Sequence, residues 1–213
     1  KATCANARAV AELEAFGGAV RCAQVDVADE AAVKAGIAAI VEEFGRIDQA
    51  IANAGIGIPR RDMFEISQAD FEKLQSINVY GVFYTLREAA ARLADGGSIV
   101  NIASAAAFIG MPQGMVYCGV KAGALGLSRA AAAELGPRGI RVNSVCPGSI
   151  PTEGVGINVD AEKVRLRIAK TPMGRLGTVQ DIARAACFFA SDDSRFVTGE
   201  SMLVDGGATQ SFI

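Results

Sequence analysis

A chain of 213 residues, 51% hydrophobic and 21% charged, can bury one large core and is far too apolar for disorder. Its net charge of −2 argues against a nucleic-acid partner, and no apolar run reaches the roughly 18 residues that cross a membrane. Five scattered cysteines and no histidine leave a metal site almost without ligands, and the thiols read as small core residues in a reducing, cytoplasmic compartment.

In chain order, residues 5–16 read as an amphipathic helix stopped by Gly17-Gly18, and 19–27 ("AVRCAQVDV") as a strand. Residues 29–45 are helical, with Asp29 as N-cap and an apolar stripe of Val33, Ile37, Ile40, Val41 and Phe44. A short buried strand, 47–55, runs into the turn "NAG", and 59–66 is a loop. One or two helices fill 67–94 up to Gly96-Gly97, followed by a strand at 98–104 and a long helix at 113–136 closed by Gly136-Pro137. A strand at 140–148 breaks at Pro147-Gly148. The segment 149–177 carries a helical insert, "AEKVRLRIAK"; a helix at 178–191 and a strand at 200–207 complete the chain. Apolar strands alternating with helices imply one α/β domain, 1–213, with a parallel sheet covered on both faces.

In such a sheet, ligands bind beyond the carboxyl ends of the strands. Asp26, Asn53-Ala54-Gly55, Ser104 and Pro147-Gly148 all fall at those ends, and Tyr117 and Lys121 open the helix after one of them. Each has an ordinary reading: a turn, a cap, a strand terminator, or a solvated asparagine for Asn78. Their joint order is what carries weight. At i and i+4 on a helix the Lys121 ammonium lies near the Tyr117 phenol. Free tyrosine, with a pKa near 10, is only about a thousandth ionised at neutrality; a neighbouring cation favours the phenolate and prepares it for acid–base work.

From "DV" (26–27) through "NAG", "INVYGVF", "GGSIVNIAS", "YCGVK" and "GIRVNSVCPGSIPT" to "VTGESMLVDGG", the chain resembles the short-chain dehydrogenase/reductases. The resemblance implies a Rossmann-like, doubly wound fold and a hydride transfer between NAD or NADP and a secondary alcohol or ketone. It implies a catalytic set of Asn78, Ser104, Tyr117 and Lys121. Tyr117 would exchange the proton, Ser104 hold the substrate oxygen, Lys121 lower the Tyr117 pKa and hold the nicotinamide ribose, and Asn78 position a water. Asp26 and Val27 would meet the adenine, and Asn53, Ala54 and Gly55 the adenosine ribose. Pro147, Gly148, Ile150 and Thr152 would hold the carboxamide. The segments 105–115 and 149–175, with Phe108, Met111 and Met115 as their bulky members beside Ser104 and Tyr117, would line a largely apolar substrate pocket, suited to an apolar or cyclic ketone.

Members of that family open with a strand and a T-G-x-x-x-G-x-G turn that receives the pyrophosphate, and no such string occurs in this sequence. The resemblance therefore implies that two strands belong between 19–27 and 47–55, a gap of about 14 Å at 4.8 Å per strand. It also implies that the native protein is longer. The residue that selects NAD or NADP would lie in that segment, and only the acidic balance leans towards NAD. The alternative is a non-catalytic relative that keeps the fold for assembly. Small residues at Ala89, Ala90, Ala122, Gly126, Ala130 and Ala133 are expected to pair helices across a twofold axis in a homotetramer.

Overall fold

The computed structural model describes residues 7–152 and 160–211. Cys4, the first residues of the helix expected at 5–16 and the middle of the 149–177 segment lie outside them. Helix α1 runs Ala7–Glu14 and α2 Glu30–Phe44. The Asp29 carboxylate caps α2 by accepting from the Ala32 N–H at 3.1 Å, and Gly45, at φ 81°, ends it in a left-handed conformation.

Four strands, β1 (Ile47–Ala52), β2 (Leu93–Ile102), β3 (Arg141–Pro147) and β4 (Ser201–Val204), form one parallel sheet in the order β1-β2-β3-β4. Ile51 pairs with Val100, Asn101 with Ser144 and Cys146 with Leu203. Between them run α3 (Gln68–Gln75), α4 (Gly81–Ala90), α5 (Met115–Leu135), α6 (Ala161–Ala169) and α7 (Val179–Ala190). Both faces of β2 and β3 are covered, as their apolar runs require, whereas β1, expected to be buried, is the open edge, with Ile51 51% exposed. Ile99 and Val142 pack with Val82, Leu86 and Ala124 on one face; Val100 and Val145 pack with Phe189 on the other.

Three expectations need correction. Residues 19–27 form no strand and pair with no element of the sheet. They are held through side chains instead: a Cβ at Gly36 would lie 2.8 Å from Val25, and one at Gly81 2.9 Å from Val27. β-branched residues favour a strand, but a strand also needs a neighbour for its backbone. Only Val33 of the expected α2 stripe is buried, while Ile40 and Phe44 stay exposed. β2 begins five residues early, with its register broken between Leu93 and Ser98, where Gly97 has no room for a side chain against the Asp48 carbonyl. Cys22 is disulfide-bonded, whereas Cys118, Cys146 and Cys187 are free thiols.

Two buried polar side chains tie the last elements to β3. Asn143 donates to the Val197 carbonyl at 2.8 Å and accepts from the Glu200 N–H at 3.0 Å, seating β4. The Arg141 guanidinium donates to the Phe189 and Ser191 carbonyls at 2.7 and 3.1 Å, and to Ser194 Oγ, at the C-terminus of α7. There it meets the negative end of the helix dipole. Arg141→Met should lower the unfolding free energy by about 2–4 kcal/mol, because these acceptors would be left buried without a donor. Urea unfolding measures this, and a loss below about 0.5 kcal/mol would show that the clamp is not structural.

Candidate active site

β2 ends at Ile102, and Ser104 lies two residues beyond, in extended backbone, capping the short turn Ala105–Ala107 through the Ala106 N–H at 3.1 Å. Cys146 of β3 lies beneath it, fully buried, and burial pushes its thiol up to about 12. It stays protonated and acts as filling rather than as a reagent.

α5 starts at Met115 without a side-chain cap and carries Tyr117 and Lys121 one turn apart. The Lys121 ammonium stands 5.9 Å from the Tyr117 ring centroid. Lys121 is 6% exposed, and none of the ion pairs or side-chain hydrogen bonds of the described residues involves its ammonium. Burial lowers its pKa to about 8, with Cys146 opposing weakly.

Between α3 and α4 the chain makes one wide π turn, Ser76–Tyr80, with Asn78 fully buried inside it. The Asn78 amide donates to the Ile56 and Leu74 carbonyls at 3.1 and 3.0 Å, and its oxygen accepts from the Ile56 N–H at 3.3 Å. Asn78 thereby fixes the backbone just after β1. A Cβ on Gly55 would lie 3.0 Å from Asn78 Oδ1 and 3.2 Å from Lys121 Nζ, so glycine backbone, amide and ammonium share one recess.

A cavity of about 700 Å³ gathers Ser104, Tyr117, Met111, Pro147, Gly148 and Ile150. Gly148 has no alternative there, since a side chain would strike Asp205 at 2.6 Å. Burial alone would raise the Asp205 pKa, but hydrogen bonds from Thr209 and Gly207 outweigh it and keep the carboxyl below its usual range. Val27, Asn53 and Ala54 instead line a second, apolar cavity of about 330 Å³ between 21–27, α2 and β1. Asp26 is exposed and accepts from its neighbour, the Ala28 N–H, at 3.0 Å.

Thr152 lines neither cavity, and neither do Phe108 and Met115, which are 46% and 53% exposed. The correction at Met115 has a simple cause. Two residues before Tyr117 on a helix is about 200° away, so the two cannot face one cavity. Phe108 sits where the chain leaves the Ala105–Ala107 turn, and Ile109 lines the cavity in its place. Sequence reasoning missed Arg60, Arg61, Asp205 and Thr209, all in the lining; Arg167 and Gln113, whose φ of 60° marks a constrained turn, fall within the segments 149–175 and 105–115 expected to line it. The doubled arginine in "PRRD" was the available signal.

Residues 2–209 match the family model described as enoyl-(acyl carrier protein) reductase. The chain belongs to the short-chain dehydrogenase/reductase family. An L-rhamnose 1-dehydrogenase (NAD(P)(+)) of Azotobacter vinelandii is 38% identical over 203 residues, 92% of this chain and 78% of the relative. A cyclohexanol dehydrogenase of an Acinetobacter species is 38% identical over 95% of this chain and 80% of its own. The solved structure of ElxO with NADP bound superposes with a TM-score of 0.83 at 33% identity, covering 89% of this chain and 78% of that one.

The buried Lys121 ammonium, with no acceptor among the described side chains, and the adjacent Gly55 leave a hydrogen-bond donor in this recess whose chemistry suits a hydroxyl-bearing cofactor. No helix among the described residues is long and apolar enough to cross a membrane, and no cluster of three or more metal-ligating side chains occurs among them.

The unfolded lysine keeps its proton to about 10.5, while the folded one releases it near 8, so between those values the unfolded state holds more protons and stability rises with pH. Below pH 8 the burial penalty is fully present, on the order of 3 kcal/mol. Lys121→Met should therefore stabilise the cofactor-free protein at pH 7, with a gain that shrinks as pH climbs from 8 towards 10.5. Denaturant melts at four pH values test this; a variant less stable than wild type at pH 7 would refute it.

Proposed function

We propose that this chain is an NAD- or NADP-dependent dehydrogenase or reductase that interconverts a secondary alcohol and a ketone, with Tyr117 as its general acid and base. One observation carries the reading. A buried ammonium, unpaired among the described residues, stands one helical turn from a tyrosine that shares a cavity with Ser104. A scaffold gains nothing from burying a lysine in this way; a site that must stabilise a phenolate does.

Ser104 donates a hydrogen bond to the substrate oxygen and fixes its approach. Tyr117 gives that oxygen a proton in reduction and takes it in oxidation, while Lys121 favours negative charge on the phenol. When bound, the dinucleotide supplies or accepts the hydride. Lys121 would hold its nicotinamide ribose, the Gly55 backbone would face its adenosine ribose, and Pro147, Gly148 and Ile150 would hold its carboxamide. Asn78 acts by positioning: both of its amide hydrogens are committed to backbone carbonyls, so any water it orients would have to use its oxygen. Tyr117→Phe should cut turnover by a factor of about 10² or more with the fold unchanged. Steady-state assay with a panel of secondary alcohols is the test, and activity within twofold of wild type would remove Tyr117 from its role.

The proposal extends to a homotetramer, on altered grounds. Ala89 and Ala90 are buried in the chain's own core, so they cannot serve an interface. Ala122, Ala130 and Ala133 on α5 are exposed, as are Phe71, Tyr80 and Phe83 on the α3–α4 run. Bulky rings and small residues on adjacent helices suit a twofold pairing. Sedimentation at micromolar concentration should give a multiple of the monomer mass, and Phe83→Glu should reduce it; a wild-type monomer would end this part of the proposal.

A further inference from the structure

We propose that the substrate of this site carries an oxyanion, a carboxylate or a group of the same chemistry, held by Arg60 and Arg167. This rests on the reading of Ser104 and Tyr117 as the reacting end, and it adds the substrate class. The cavity that holds those two residues is lined by three arginines, Arg60, Arg61 and Arg167. Arg61 is already paired, to Asp70 at 2.9 Å. Arg60 and Arg167 form no ion pair with any described carboxylate; the Arg60 guanidinium reaches only the Met111 thioether, a weak acceptor.

Both are held by the fold from separate elements. Arg60 belongs to the loop that follows β1, which is tied to the 111–114 turn by the Arg61 N–H to the Gln113 carbonyl at 3.4 Å. Arg167 is half-buried on α6, where its own carbonyl accepts from Thr171 Oγ1 at 2.8 Å. That end of α6 is locked in turn to the loop after β4, where the Met173 N–H meets the Gly206 carbonyl at 3.2 Å.

Among the described residues the one carboxylate in the lining, Asp205, is spent on Thr209 and Gly207 and does not neutralise either arginine. Two arginines without a carboxylate partner among the described residues line one cavity, and each planar guanidinium is a fork suited to an oxyanion. A volume of about 700 Å³ admits a chain of several carbons between that anion and the reacting carbon.

The test uses the holoenzyme and a series of (ω−1)-hydroxy carboxylates of four to eight carbons, each compared with its methyl ester, in oxidation by NAD⁺ and by NADP⁺. At the best chain length the acid should exceed its ester in kcat/KM by at least about tenfold, equivalent to about 1.4 kcal/mol. The acid-to-ester ratio should collapse towards one in the Arg60→Gln/Arg167→Gln double variant, survive in large part in Arg167→Lys, and fall with added salt. Esters equal to or better than acids at every length would overturn the proposal. If neither acids nor esters are oxidised, the dehydrogenase reading fails separately, and calorimetric binding of the same pairs decides: an acid preference abolished by the double variant upholds the oxyanion site, and equal binding rejects it.

Discussion

The buried ammonium of Lys121 is the constraint around which the rest of the site is arranged. A charge taken out of water without a counter-ion costs stability, and it persists only where the surrounding packing holds it in place. Here the restraint comes from below and from the side: α5 packs on the sheet through Ala124 and Leu125, and Gly55 leaves the space the ammonium occupies. Any residue larger than glycine at position 55 would press on both Asn78 and Lys121. The recess is therefore specified as much by a missing side chain as by those present.

Asn78 reaches that recess because of a helical irregularity. Leu74, Asn78, Val82 and Leu86 are all buried, at steps of four residues. In a regular α-helix each such step drifts by about 40°, so the first and last would lie about 120° apart. The π turn at Ser76–Tyr80 takes back part of that drift and keeps one face inward throughout. The loss of regular bonding at that turn is offset by the side chain of Asn78 itself, which satisfies the Leu74 and Ile56 carbonyls. Sequence placed helix here correctly, but the wide turn has no signature in composition.

What was legible were the elements whose determinants are local. Asp29 caps α2 and the apolar strands 47–52, 141–147 and 201–204 lie in a parallel sheet, because caps and periodicity act within a few residues. The gathering of Ser104, Tyr117 and Pro147-Gly148 in one cavity was legible too, since strand ends fix it. What escaped was relational. Residues 19–27 have strand composition, yet pairing depends on a neighbour. Phe108 and Met115 have the chemistry of a pocket lining, yet helical phase turns Met115 away. Arg60 lies in the stretch 59–66, expected only to be a loop, because nothing local shows that the fold brings it to the cavity that Arg167 lines.

The environment then divides the ionisable groups by charge state, which matters in a chain with no histidine. Cys146 is held neutral by burial, with its thiol up to about 12, while hydrogen bonds keep Asp205 anionic. Lys121, near 8, is the buried group whose proton is most easily shared at neutral pH. Asp205 also imposes a direction. Its fixed negative charge sits against Gly148, at the sheet end of the cavity, where an anionic substrate group would be repelled. The arginines come from the loop after β1 and from α6. An oxyanion held by those arginines would leave the uncharged carbinol or carbonyl end to meet Ser104 and Tyr117.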